Sequence, residues 1–212
     1  MSTYKKVDAD QLDADLTSVA DAIRERAGTA EKLNFPDGFV SAVGVIIDKV
    51  IRKELTHIYS EISVVGINSA LSSYTKLESI SMPNIKQSYA YLLDGCTSLK
   101  DVNFPSLEKA STSTFKGCTS LTKLDLPKLN TIAASAFHQC ANLTTLVFRN
   151  NKVVTLENIN AFSGTPFASG GTGGTVYCPS AQIENYKKAT NWTTLYSAGT
   201  CNFVAIEGSE YE

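Results

Sequence analysis

The sequence has little with which to build an active site. Two histidines occur, His57 and His138, whereas base-assisted nucleophilic catalysis needs a base beside a serine or cysteine and a third group to orient it. The five cysteines include no Cys-x-x-Cys pair and are odd in number, which excludes a zinc cluster of that type and a complete disulfide framework. Basic excess is absent as well. A formal net charge of -2 and a pI near 5.8 leave no field for polyanions, so neither nucleic acid nor an anionic membrane surface is an expected partner. No long apolar run exists: the longest stretch, residues 39 to 51, is interrupted by Asp48 and Lys49 and is too short to span a bilayer. Acidic residues also break the first 28 residues where an export signal would need an apolar stretch. No enzyme, cofactor or metal is expected. At 43% hydrophobic content, the 212 residues instead suffice for one sizeable core.

What the sequence does have is a period of 22 residues. Leu77, Leu99, Leu121 and Leu143 fall in one column, and Ile80, Val102, Leu124 and Leu146 in a second. Met82, Phe104, Leu126 and Phe148 form a third. Pro83, Pro105 and Pro127 keep the same register, as do Ile85, Leu107 and Leu129, and Cys96, Cys118 and Cys140. Leu55 and Ile58 stand one period before Leu77 and Ile80, and a three-residue insertion at 150 to 152 precedes a last coil in which residues 160 to 164 resume the register of 135 to 139. Five coils are counted, over residues 55 to 167.

Within a coil, the alternation around Leu124 and Leu126 predicts a short strand with Lys123 and Asp125 on its other face. Proline then ends it, having no N–H for a further ladder bond. One coil buries too few large side chains to offset the entropy of ordering 22 backbones, so it must stack on its neighbours. Like residues recur at like positions because each buries against its own copy. The cysteine column is expected to be buried free thiol, with a pairing of Cys178 and Cys201 across the last segment left open. The glycine-rich stretch at 169 to 175 lacks the Gly-Lys-Ser/Thr of a phosphate loop and is expected to be a flexible loop.

The repeating Leu-x-x-Leu-x-Leu-Pro-x-Leu with Ala-Phe-x-x-Cys resembles the BspA-type branch of the leucine-rich repeats, a family of bacterial and phage-encoded solenoids. The resemblance implies an α/β repeat solenoid, a right-handed coil of about five 22-residue turns. Residues 174 to 192 are similar to that family's C-terminal cap, a strand ending in proline and a short helix leading to Trp192. Residues 19 to 43 resemble a short module at the start of phage and prophage tail-associated proteins.

Leu12, Leu16, Val19 and Ile23 mark an amphipathic helix over residues 9 to 27, and a second helix is expected from Asp37. The second carries an apolar face wide enough to need a cover, either the open end of the solenoid or another copy of the chain. The expected divisions are an N-terminal helical module at 1–54, a solenoid at 55–167 and a cap at 168–212.

The solvent side of the strands should display Ser79, Ser81, Asp101, Asn103, Lys123, Asp125, Thr145 and Val147, a candidate ligand-binding face for a protein or glycan on a cell surface. The plainer reading is a merely soluble face. The resemblances together imply a non-enzymatic recognition or structural component of a phage or prophage tail, in the virion or in host cytoplasm before lysis. The alternatives are a bacterial cell-surface adhesin-type protein, extracellular or on the cell surface, and a purely architectural spacer. A homo-oligomer through the N-terminal helices remains open.

Overall fold

The computed structural model describes residues 57–59 and 68–212, all within one compact unit, Thr56–Glu212. The expected N-terminal helices, the oligomer seam they would form and the segment 19 to 43 lie outside the described residues.

Among the described residues, ten strands run through this unit. In chain order they are β1 (His57–Tyr59), β2 (Ser79–Ser81), β3 (Asp101–Asn103), β4 (Lys109–Ala110), β5 (Lys123–Asp125), β6 (Thr131–Ile132), β7 (Thr145–Val147), β8 (Thr155–Leu156), β9 (Gly174–Cys178) and β10 (Cys201–Ala205). Two helices, α1 (Ile183–Lys188) and α2 (Trp192–Ser197), lie between β9 and β10. All ladders are parallel. Their register is the sequence period made physical: Ile80 lies between Ile58 and Val102, and Leu124 faces Leu146. Leu77, Leu99, Leu121 and Leu143 are fully buried, as are Cys96, Cys118 and Cys140.

Two sheets form the front, β1-β2-β3 and β5-β7-β9-β10, and one forms the back, β4-β6-β8. A continuous front ladder was the expectation; it is interrupted between β3 and β5. Met82, Leu126 and Phe148 each donate their backbone N–H across to the next strand, at 3.0, 3.0 and 2.9 Å, and the equivalent rung from Phe104 is missing. Val102 is accordingly half-buried where Ile80, Leu124 and Leu146 are buried. The stack nevertheless holds at this point, because the back ladder joins the same two coils through Lys109 and Thr131.

The return arms are tied just as regularly. Ser69, Tyr91, Ser113 and Ser135 form one column of left-handed backbone at φ of 56 to 60°. Ser73, Gly95, Gly117, Gln139 and Gly164 form another. In the second column Gly95 N–H donates to Lys116 O at 2.7 Å, Gly117 to His138 O at 2.8 Å and Gln139 to Ser163 O at 2.8 Å. Glycine suits positions 95 and 117 because they require positive φ, which a Cβ disfavours. The step from Gln139 to Gly164 is 25 residues, three more than the period, but the back ladder pairs Thr131 with Thr155 at a step of 24, so two of the extra residues lie before 155 and one after it, where the sequence put all three at 150 to 152.

Aromatic rings thread the core. Phe115, Phe137 and Phe162 stack at centroid distances of 5.5 and 5.4 Å, and Phe162 continues to Trp192 at 5.7 Å. Trp192 in turn meets Tyr186 and Phe203 at 5.6 and 5.9 Å. The two polar ends in this cluster are satisfied: Trp192 Nε1–H donates to Val154 O at 2.7 Å, and the Tyr186 hydroxyl accepts from Val154 N–H at 3.0 Å. The last segment is therefore no separate lid. It adds β9 and β10 to the front ladder, with Thr145 opposite Thr175 and Val176 opposite Phe203.

The glycine-rich stretch forms an exposed turn tied back to the residues before it. Gly171 N–H donates to Ala168 O at 2.8 Å and Gly173 N–H to Pro166 O at 2.9 Å. A Cβ on Gly174 would come within 2.4 Å of the Phe167 ring, so glycine is there for close packing.

Candidate recognition face

On each front strand the middle residue points inward and its two neighbours outward, because side chains alternate along a strand. In-register pairing lines the outward residues up in two rows. One row runs His57, Ser79, Asp101 on the first front sheet, then Lys123, Thr145, Thr175, Asn202 on the second. The other runs Tyr59, Ser81, Asn103, then Asp125, Val147, Tyr177, Val204. All eight residues expected on this face do lie in these rows.

The two halves differ in access. Across β1-β2-β3, His57, Tyr59, Asp101 and Asn103 are exposed and Ser79 and Ser81 are half-exposed; Tyr59 stands 66% open. The polar groups cross-link along the rows. His57 Nδ1 lies 2.6 Å from Ser79 Oγ, and Asn103 Nδ2 donates to Ser81 Oγ at 2.9 Å.

Across β5-β7-β9 the face is partly occupied by the chain itself. After β10 the backbone bonds once more to β9, Ile206 N–H to Cys178 O at 3.0 Å, and then turns back over the outward side. Tyr211 packs edge-on against Tyr177 at 4.6 Å, and Lys123 Nζ lies 5.2 Å from the same ring's centroid. Lys123 is on β5 and Tyr177 on β9, so a ring touching both spans β7. Val147, expected to be open to solvent, is fully buried there. The correction has a simple cause: an apolar side chain in an outward row is worth covering, and the residues after β10 supply the cover. Asp125 is engaged too. Arg149 Nη2 donates to Asp125 Oδ2 at 2.9 Å, and this hydrogen bond holds the guanidinium pKa above its ordinary value. Of the eight, Ser79, Ser81, Asp101 and Asn103 form the open part, while Lys123, Asp125, Thr145 and Val147 lie in or beside the occupied part.

His57, Tyr59, Tyr177, Arg149 and Tyr211 were not among the expected face residues. His57 and Tyr59 were legible, standing 22 residues before Ser79 and Ser81. Tyr211 carries no repeat signal, because it reaches the face through the fold of the last residues and not through the period.

All five thiols are buried and unpaired with one another. Cys96, Cys118 and Cys140 donate to Leu71 O, Leu93 O and Phe115 O at 3.1, 3.3 and 2.9 Å. Burial pushes the Cys96 and Cys140 thiols up to about 12 and Cys118 well above its ordinary value. Cys178 and Cys201 are both free. The ladder sets Cys201 opposite Gly174 and Cys178 opposite Ala205, four residues apart along the strands, or about 13 Å, too far to bridge. Among the described residues no group of His, Cys, Asp and Glu could hold a metal ion, and no helix is long and apolar enough to cross a membrane.

A leucine rich cell surface protein from Faecalibacterium prausnitzii is similar in structure, at 26% identity and a TM-score of 0.47, over 52% of this chain and 30% of that one. A leucine-rich-repeat protein of T. pallidum shares 19% identity at a TM-score of 0.47, over 57% of this chain and 58% of that one. One from Bacteroides ovatus shares 14% at a TM-score of 0.36, over 59% and 52%. The chain thus spans less than two thirds of each of these structures. No curated protein matches it. The family model of the BspA type leucine rich repeat region matches residues 52–169 in six copies, one more than the five coils counted from the sequence. With that match covering over half of its length, and with parallel ladders keeping the 22-residue register, this chain belongs to the BspA-type leucine-rich-repeat family.

Proposed function

We propose that the chain is a non-enzymatic recognition module that binds a protein or glycan at a cell surface through the open front of β1-β2-β3. The observation that supports this most is the contrast within one face. Beyond β5 the chain covers its own outward rows with Tyr211, whereas across β1-β2-β3 it leaves an aromatic ring, Tyr59, beside His57, Ser79, Ser81, Asp101 and Asn103. An exposed ring flanked by short donors and acceptors suits stacking on an apolar or sugar face with hydrogen bonds at its rim. The adhesin-type reading, extracellular or cell-surface, therefore stands ahead of the tail component. The latter rests on residues 19 to 43, which neither the family match nor the described residues include.

The test is a binding screen of the purified chain against immobilised glycans and surface proteins, repeated with Tyr59→Ala and Asn103→Ala combined. The expected result is a hit weakened at least about tenfold by the double variant, the loss of roughly 1.4 kcal/mol. A hit indifferent to both substitutions would move the site elsewhere, and a chain that binds nothing would leave the architectural spacer.

A further inference from the structure

The residues that follow β10 are held in two different ways. Glu207 is anchored, its carboxylate oxygens accepting from Ser180 N–H at 3.2 and 3.0 Å. Residues 208–212 are not. Gly208 turns the chain at a φ of 74°, and among the described residues every hydrogen bond made beyond it closes within the segment or onto Ile206. What fastens this strap to the front is one ring: Tyr211 lies edge-on to Tyr177 at 4.6 Å, with Lys123 Nζ 5.2 Å from its centroid. A strap rooted at Glu207 and hydrogen-bonded only to itself lifts without leaving a buried donor or acceptor unpaired, which is the main cost of breaking such a contact.

Beneath the strap is a place shaped for a ring. Val147 supplies an apolar floor that is fully buried while the strap is down, Tyr177 supplies an aromatic wall, and Lys123 a cation. Asp125, the other charge on β5, is paired with Arg149, whereas no ion pair among the described residues includes Lys123. Its ammonium meets only the negative face of the Tyr211 ring. In the sequence that ring stands between Glu210 and Glu212. The strap is therefore a sample of what the place accepts: a tyrosine flanked by carboxylates, brought to a cation and a second ring.

We infer that Lys123, Val147 and Tyr177 form a subsite for an aromatic residue flanked by carboxylates in a partner protein, and that residues 208–212 fill it until such a segment displaces them. The inference rests on the recognition reading for the choice of face, and it names the class of partner. Of protein and glycan the subsite fits protein, because a peptide carries ring and carboxylates on adjacent residues. A tethered strap acts at an effective concentration on the order of millimolar, so a free segment making the same contacts competes poorly until the strap is disabled. A partner that also reaches the open rows of β1-β2-β3, where Asp101 precedes Lys123 in the same row, has the further contacts that displacement needs.

The experiment is saturation-transfer NMR on the full chain, with the acetylated and amidated pentapeptide Gly-Ser-Glu-Tyr-Glu as the probe at millimolar concentration. The expected result is transfer to the probe's ring protons at least about fivefold stronger from Tyr211→Ala than from the parent chain, because the variant has lost its internal competitor. Adding Lys123→Ala, a change at an exposed side chain, should abolish the transfer, and a probe with alanine in place of its tyrosine should show none. Adding Tyr59→Ala and Asn103→Ala to Tyr211→Ala should leave it intact. No transfer from any chain overturns the inference, as does equal transfer from parent and Tyr211→Ala, or transfer that survives Lys123→Ala. Transfer lost with Tyr59 and Asn103 but kept without Lys123 overturns it too, while supporting recognition by the open front alone.

Discussion

Phe137 is the middle ring of the stacked column and has no exposed surface, so its replacement by alanine tests whether adjacent coils cohere through like-on-like burial. Its neighbours Phe115 and Phe162 sit 5.5 and 5.4 Å away on either side. Neither can collapse into the gap easily, because backbone bonds between adjacent coils hold the column in place on both sides of it: Phe115 N–H bonds to Ala136 O at 2.8 Å, and residue 137 N–H to Ala161 O, beside Phe162, at 2.9 Å. A rigid surround keeps the cavity open, which puts the cost at the usual range for Phe→Ala, about 3–5 kcal/mol. For a unit of this length each kcal/mol lowers the melting temperature by about 2–4 °C, so a fall of roughly 6–20 °C is expected. Phe137→Leu keeps most of the volume and should cost under about 1.5 kcal/mol. Urea unfolding followed by circular dichroism reads both, and reactivity of Cys118 and Cys140 toward a thiol reagent reads the same neighbourhood locally. A loss below about 1 kcal/mol for the alanine variant, or equal losses for alanine and leucine, would refute the account of the column as packed core.

The strand faces have a sharper test. Leu124→Asp buries a carboxylate at a site 1% exposed and should unfold the coils around it, whereas Lys123→Asp loses a contact with Tyr211 worth up to about 1 kcal/mol; comparable melting of the two would mean the faces are reversed. Tyr211→Ala removes an edge-on ring contact and a cation contact, together roughly 1–2 kcal/mol, and should speed hydrogen exchange around Val147; unchanged exchange would show that Tyr211 does not cover it. The thiols give a pH dependence. Cys96, Cys140, Cys178 and Cys201 are raised by burial from 9.0 to about 12. A raised folded pKa gives stability that is complete below the unfolded value of 9.0 and is lost as pH climbs from there toward 12. Urea midpoints should therefore fall steeply between pH 9 and pH 11, and replacing one of these cysteines by alanine should flatten that fall; a midpoint indifferent to pH in this window would contradict the burial.

The sequence announced the repeating part of this protein because a period constrains everything that depends on it. Leu77, Leu99 and Leu121 had to align once 22 residues made one coil, and Ser79, Asp101 and Lys123 had to share a row on the opposite side. Parallel pairing and side-chain alternation are local rules, and local rules copied at a fixed interval give one answer. What tertiary structure alone decided lies where the copying lapses. The interruption between β3 and β5 has no signature in the columns, since Val102 and Leu124 read alike in sequence. Val147 occupies an outward register position and is buried nonetheless, because Tyr211, outside the period, comes back across β7. Access to the front of β1-β2-β3 likewise depends on which distant segment arrives to cover a strand. Burial is a property of neighbours in space, and beyond the last repeat no interval in the sequence says who those neighbours are.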